Sequence, residues 1–464
     1  MSQPTVAAAK HSSEKSADLL DQSALIDLAQ RLVEAAKRAG ADTADAVAVR
    51  GVSQGVEIRD GKVEESERAE GDDVGLRVLI GRKQAVVSTN DIAADVATLA
   101  ERAVAMARIA PEDKYAGLAD PSLLAKEFPN LDLLDAVAPS VEELEARAQA
   151  AEAAGLAVKG VSKSGGASAS AGIGGMVLVT STGFCGAYLR SSQGISMTAI
   201  AGSGTGMERD YDFSSAIHAA DLASPDSIGK TAATRAVARV NPRKVATCKV
   251  PVVFDPRVAG SLIGHLVGAI NGASVARKTS FLKDRMGERL FAAGVGIIDD
   301  PLRVRGLRSQ PFDAEGVAVK PLSFIDDGVL TSWILDSSTA RELGLVTNGR
   351  AHRGVSSSPS PGAYNLHMTA GKSTPAELIA DIKQGFYVTD LIGSGVNGVT
   401  GDYSRGASGF WIENGKIGFA VSEMTIAGHL LDIFKSLTPA NDLEFKYGVN
   451  APTVRIEGLT VAGR

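Results

Sequence analysis

Helical and strand patterns are segregated along this chain, and that order constrains its fold more than any single residue does. "SALIDLAQRLVEAAKRAG" repeats apolar residues at helical spacing, opens on Ser23 and stops at Gly40, which predicts a helix over about 23–39. "DIAADVATLAERAVAMARIA" predicts a second long helix, and "SVEELEARAQAAEAAG", with its Ser-x-x-Glu start, a third. "SPDSIGKTAATRAVARVNP" predicts a fourth, ending at Pro242. Between them lie tight-turn signals at Asp60-Gly61 and Gly81-Arg82, and a Gly/Ser/Ala-rich stretch from about 160 to 205 with β-forming runs. Beyond Pro242, strand and turn dominate, as in "CKVPVVFDP", "SFIDDGVLTSWILD" and "GFWIENGKIGFAVSEMTIAG", with hairpin turns at Asp327-Gly328 and Asn414-Gly415. There is no regular βα alternation, so the pattern predicts an α+β protein rather than a doubly wound sheet. Its expected parts are an N-terminal α/β domain of hairpins and long helices over 21–242 and a mostly β C-terminal domain over 243–464, the latter holding a buried glycine-rich helix.

The 464 residues suffice for two or three domains with substantial cores. A net charge of −6, with both signs interleaved and no basic arm, argues against direct nucleic-acid binding. No apolar stretch approaches the ~18–20 residues that span a bilayer. Residues 1–20 are polar, lack the apolar core of a secretory signal and read as a flexible tail, so the expected location is the cytoplasm. Cys185 and Cys248 are too few for a disulfide framework or a four-thiolate zinc site, and read as two separate buried thiols.

"GSGVNG", Gly393 to Gly398, matches a dinucleotide fingerprint, but the segment that follows reads as loop running into strand. A dinucleotide site needs a helix N-terminus there to meet the pyrophosphate. The longer "GSGVNGVTGDYSRGASG" carries Asn397, Thr400, Gly401, Asp402, Arg405 and Ser408 among its glycines. Glycine lets a backbone approach a ligand closely and the polar side chains could orient it, which makes these six the candidate substrate-contact residues. The alternative is a surface loop whose glycines serve only its turns. His352 and His367 stand fifteen residues apart with no carboxylate or thiol at ligand spacing. His11 and His218 read as solvated, and His429 as packed beside a final helix.

"GSLIGHLVGAINGASVARK", Gly260 to Lys278, is the glycine-rich helix. At 100° per residue, Leu262, Ile263, Leu266, Val267 and Ile270 cover one arc, and Gly260, Gly264, Gly268 and Gly272 form a stripe roughly opposite. A helix without a charged face reads as buried on nearly all sides. Each glycine costs about 0.8–1 kcal/mol of helix propensity against alanine, which suggests a second backbone close to the stripe. His265 has no second histidine or acid within a turn, so it reads as a satisfied core histidine rather than a metal ligand.

"VNGVTGDYSRGASGFWIENGKIGFAVSEMTIAG", with "SSSPSPGAYNLHM" upstream and "PTVRIEGLTVAG" at the end, resembles the C-terminal half of the TldD/PmbA peptidase family. "GVEIRDGKVEESERAEGDDVGLRVLIGRKQAVVST" is similar to that family's first domain. The family's TldD-type subunits carry a zinc-binding His-Glu-x-x-x-His helix and a cysteine ligand near the C-terminus. Laid on this chain, the motif falls with its first histidine at Gly264, its glutamate at His265 and its last histidine at Ala269, and no cysteine follows Cys248. That departure resembles the PmbA branch, also called TldE. The resemblance implies a non-catalytic, substrate-shaping subunit with no cofactor of its own and zinc in a TldD-type partner. It implies a heterodimer acting on unfolded or small peptides in the cytosol, with a homodimer possible when the partner is absent. Competing readings are a regulatory protein-binding module, acting on gyrase or toxin–antitoxin systems, and a self-standing hydrolase using His265 with His352 or His367.

Overall fold

The computed structural model describes residues 21–463 apart from Ala136; the expected tail and His11 lie outside the described residues. The four long helices form where their periodicity and caps place them: α1 (Ser23–Arg38), α2 (Val96–Ile109), α3 (Val141–Leu156) and α4 (Pro225–Ala238). Asp95 caps α2, and Ser140 with Glu143 closes a reciprocal capping box on α3. Ser23 is the first helical residue of α1 rather than its cap, which is Gln22.

These helices lie on one face of an antiparallel sheet of β1 (Thr43–Arg59), β2 (Lys62–Ile80), β3 (Lys83–Thr89), β4 (Val161–Thr180), β5 (Cys185–Ala201) and β6 (Glu208–Ala216). The spatial order is β3-β2-β1-β4-β5-β6. Strand period explains the arrangement, because Ala44, Ala46, Ala48, Val56 and Ile58, all at even-numbered positions of β1, face the helices. Ala46 and Ala48 pack with α1 and α2 at one end, whereas Val56 and Ile58 pack with α3 and α4 at the other. The turn Asp60-Gly61 takes positive φ at both residues, the hairpin geometry its sequence signals.

The C-terminal half begins with β7 (Cys248–Phe254), α5 (Pro256–Ala269) and α6 (Gly272–Ala276). Short strands β8 (Ile297–Asp299), β9 (Leu322–Asp326) and β10 (Val329–Leu330) follow, then α7 (Ser337–Leu343), β11 (Ala351–His352), β12 (Ser360–Pro361) and β13 (Leu366–Met368). After α8 (Pro375–Ile379) come the long strands β14 (Gln384–Ile392), β15 (Asp402–Glu413) and β16 (Lys416–His429). α9 (Leu430–Ser436), β17 (Thr438–Pro439), β18 (Val449–Asn450) and β19 (Val454–Ala462) complete the chain. The main sheet runs β16-β15-β14-β7-β19 and closes on itself where β19 pairs β16, Ala462 opposite Thr425, so it is a barrel. Phe254, Phe386, Trp411, Ile426 and Val461 share its core with the apolar arc of α5. The chain is thus α+β, with the helices concentrated in the first half.

The barrel half packs on the face of the N-terminal sheet that the helices leave open. Val47, Leu178 and Phe184 meet Phe312 there. The approach is close at Gly75, where a Cβ would stand 1.8 Å from the carbonyl oxygen of Val355.

Candidate functional site

Three elements converge beside the start of the barrel: α5, the 393–401 loop and the first residues of β15. α5 begins where Pro256 takes the first turn and Asp255 caps it, accepting from the Arg257 amide at 3.0 Å. The Tyr387 hydroxyl donates to the other Asp255 oxygen at 3.0 Å. Arg257 then reaches back to β6 and grips Asp210 with two bonds, 2.6 and 3.0 Å, while Arg239 adds a third at 3.2 Å. Burial alone would raise the Asp210 pKa, yet these guanidinium bonds hold it below the ordinary carboxylate value. The helix start is therefore fixed to the N-terminal sheet by a buried ionic clamp.

α5 is shorter and less enclosed than its sequence suggests. It stops at Ala269, Asn271 turns extended, and α6 starts afresh with the Asn271 side chain accepting from Ala273. Gly272 sits at this break with Ile334 O 2.7 Å from where its Cβ would be, so a side chain has no room. The expectation of a helix buried on nearly all sides is corrected here. Leu262, Ile263 and Leu266 are buried, but Gly264 and Gly268 are exposed, and a Cβ at either meets no atom within 4 Å. An apolar stripe of glycines lacks charge whether it is packed or open, so the pattern alone could not distinguish the two.

His265 lies at the border between the buried arc and the open stripe. Its ring stands edge-on to Tyr403 of β15, centroids 5.7 Å apart, and neither its Nε2 nor the buried Tyr403 hydroxyl has a hydrogen-bond partner among the described residues. It is thus packed but not satisfied. Burial, assisted by the cation of Arg405, holds the His265 pKa below its ordinary value, so the ring is neutral at pH 7. A metal ion would find one imidazole here, beside an arginine. Gly264 and Ala269 offer no donor atom, and the described residues contain no cluster of three or more His, Cys, Asp or Glu able to hold a metal. The residues present do not fit a zinc site.

The glycine-rich segment is loop only through Gly401, and Asp402 onward is strand. Asn397, Thr400, Gly401 and Asp402 form one compact turn. The Asn397 side chain accepts from Val399 at 2.9 Å, and the Thr400 hydroxyl donates to Asp402 at 2.6 Å. His429 caps α9 through Nδ1, and its Nε2 lies 2.8 Å from the Thr400 carbonyl oxygen, fastening the loop to the helix. At Gly401 a Cβ would come within 2.9 Å of that imidazole, and φ is +88°, so glycine is required twice over. Arg405 follows on β15, its Nε 3.4 Å from the Ile392 carbonyl oxygen. Ser408 is the exception. It is buried opposite Asp390 beyond a strand irregularity, whereas Asn397, Thr400 and Asp402 are exposed.

Other expectations need correcting. Cys185 is exposed, and Cys248 is only half-buried. His218 is not solvated: its Nε2 lies 3.0 Å from the Asp132 carbonyl oxygen and 3.2 Å from its carboxylate. His352 lies tilted against Tyr364, centroids 4.6 Å apart, and His367 meets Phe445 edge-on at 5.1 Å, two separate aromatic settings. The Asp210 clamp and the Tyr403 contact were beyond sequence reasoning, because both join residues far apart in the chain.

Comparison with known proteins places this geometry in context. Profiles of the PmbA/TldA metallopeptidase match in order: domain 1 over residues 44–107, the central domain over 135–240 and the C-terminal domain over 247–463. The Metalloprotease PmbA of Escherichia coli O157:H7 is 36% identical over 412 residues, covering 88% of this chain and 90% of that protein. A Metalloprotease PmbA homolog from Haemophilus influenzae is 34% identical over 93% of this chain and 94% of its own length. A Metalloprotease TldD homolog from the same organism matches 46% of the chain at 28% identity. Among solved structures, a Bacteroides thetaiotaomicron protein described as a candidate modulator of DNA gyrase superposes with a TM-score of 0.87 at 26% identity, over 94% of this chain and 98% of that one. TldE from Thermococcus kodakarensis superposes with a TM-score of 0.83 at 18% identity, over 94% and 100%, a likeness of fold alone. With three domains matched in sequence order and relatives above 30% identity along nearly their whole length, the chain belongs to the PmbA/TldD metallopeptidase family.

Proposed function

We propose that this chain is the non-catalytic, substrate-shaping subunit of a heterodimeric peptidase whose zinc resides in a TldD-type partner, acting on unfolded or small peptides in the cytosol. The observation that carries the reading is the segment 264–269 of α5. The positions where the resemblance puts the two metal-binding histidines hold Gly264 and Ala269, and the intervening His265 is neutral beside Arg405. A peptide added to a strand edge is held by main-chain bonds largely regardless of its sequence, which suits a shaping subunit. The turn 397–402 with Arg405 is the proposed peptide border, with Ser408 removed from it. Among the described residues no helix is long and apolar enough to cross a membrane.

The test compares the chain alone with the chain co-expressed beside a TldD-type subunit. Alone, it is expected to hold no stoichiometric zinc by elemental analysis and to leave unfolded peptides intact; together, the pair is expected to co-elute and cleave. Asp402→Ala or Arg405→Ala should lower turnover while assembly persists. One equivalent of zinc on the isolated chain, lost with activity in His265→Ala, would refute the assignment.

A further inference from the structure

The N-terminal sheet carries a groove of about 600 Å³ on the face opposite its helices, away from α5 and the 393–401 loop. Its floor follows from the strand register. Gly71 of β2 is opposite Gly51 of β1, Gly51 is opposite Gly174 of β4, and Gly174 is opposite Arg190 of β5. Three adjacent strands therefore present a row of bare backbone, ending in a guanidinium. A Cβ at Gly71 would meet nothing within 4 Å, and one at Gly51 or Gly174 only ordinary contacts at 3.5 Å or beyond. The floor is open rather than filled. The neighbouring row, Asp73-Val49-Met176-Tyr188, forms a wall, with Tyr188 packed on Phe312 of the barrel half at 5.7 Å.

Two charged groups on this groove lack a counter-ion among the described residues. Arg190 is half-buried and in no ion pair among the described residues; its one hydrogen bond is a long 3.4 Å contact to the Gly306 carbonyl oxygen. Burial makes its charge costlier, Tyr188 offsets part of that, and the neighbouring Arg308 cation adds to the cost. Across the sheet, the half-buried Asp73 carboxylate likewise has no hydrogen-bond or ion-pair partner among the described residues. A half-buried charge without a counter-ion is unfavourable, so each site favours a ligand of opposite sign. Three strand spacings separate β2 from β5, roughly 14 Å at about 4.8 Å each. An extended chain at about 3.4 Å per residue covers that with some four residues.

We infer that this trough binds a short peptide by its two ends, the free carboxylate on Arg190 and the free ammonium at Asp73, with the main chain lying across the glycine row. The inference builds on the proposed role in peptide handling and assigns the chain a preference for small peptides with free termini. The volume lies within the usual range for small-ligand sites. Apolar contact with Val49, Met176 and Tyr188 tolerates varied side chains, so recognition is by length and termini rather than by sequence.

Calorimetric titration of the isolated full chain with tetra-alanine tests this without zinc, partner or turnover. Saturable binding is expected, weakened roughly tenfold or more by C-terminal amidation, and likewise by N-acetylation, since each removes a charge-assisted bond. Arg190→Gln should weaken the free peptide by a similar factor and leave the amidated peptide no worse. Asp73→Asn should show the same pattern with the acetylated peptide. Gly51→Val should fill the floor and weaken all forms, with circular dichroism and melting temperature showing each variant folded. Inorganic phosphate is expected to compete only through Arg190, unaffected by Asp73→Asn. No saturable tetra-alanine binding, equal loss for capped and free peptides, or phosphate binding without peptide binding would overturn the inference. Zinc or peptidase activity on the isolated chain would instead refute the subunit assignment and leave these titrations as they stand.

Discussion

Gly264→Ala and Gly268→Ala on α5 are expected to stabilise the isolated chain, against the intuition that a glycine stripe on a helix is a packing surface. Two effects compete. Alanine gains about 0.8–1 kcal/mol over glycine in a helix interior. A new methyl group in a tight contact costs about 1–3 kcal/mol through overpacking. The structure decides between them, because no atom lies within 4 Å of a Cβ at either position. Propensity therefore wins, by about 1 kcal/mol per site. For a cooperative unit of 150–250 residues that is about 2–4 °C in melting temperature per substitution. Gly272→Ala is the contrast: its Cβ would press on Ile334 O at 2.7 Å and on Leu335 and Thr339 at 2.8 Å, so it should melt lower.

Differential scanning calorimetry over a dilution series is the assay, because a concentration-dependent melting temperature reveals self-association. The same variants should be carried into assembly with a TldD-type subunit. An exposed apolar stripe tolerates alanine in isolation, but a partner helix seated on it would not tolerate Gly268→Leu. Loss of co-elution by the leucine variant, with its own melting temperature unchanged, would assign the stripe to the partner. A lowered melting temperature for Gly268→Ala in the monomeric chain would refute the reasoning, since it would mean that the stripe is already packed.

Two further outcomes follow from buried charge. Burial, with the cations of Arg350 and Arg308, holds His352 at about 4 against an ordinary 6.5, so the unfolded chain protonates first as pH falls. The stability tied to the neutral ring is complete above about pH 6.5 and is lost between there and about pH 4, up to ~3 kcal/mol, and the difference curve between parent and His352→Gln in urea melts should show that slope. Asp299 and Arg350 form a 2.6 Å ion pair with both side chains fully buried, and Asp299 also accepts from the Tyr364 amide. Asp299→Asn strands the guanidinium and is expected to cost about 3–5 kcal/mol in chemical unfolding.

What the sequence made legible was local. The four long helices announce themselves by apolar spacing and by caps such as Ser140 with Glu143, all within one or two turns of chain. Asp327-Gly328 and Asn414-Gly415 adopt positive φ at both residues, as their chemistry requires. The barrel was not legible, because its closure joins β19 to β16 and its parallel β7–β14 pair spans more than a hundred residues. Nor were the groove charges, since Arg190 and Asp73 meet one space only through the register of four strands. The glycine motif was half legible: Gly401 has the conformation and crowding that only glycine accepts, yet the strand begins at once with Asp402.

The geometry of α5 bears on the proposed absence of a zinc site independently of the chemistry of Gly264 and Ala269. Residues five apart on a regular helix point about 140° away from each other. Here that separation is visible in their surroundings: position 264 is exposed, whereas Ala269 is 4% exposed within the barrel core. Two histidines placed at these positions would therefore not converge on one ion; one would face outward and the other would be forced into the core between Leu266 and Ile270. Gly264, Ala269 and the regular helical path are consistent with one another: the segment keeps its hydrogen bonds through Ala269 and turns only where Asn271 and Gly272 break it.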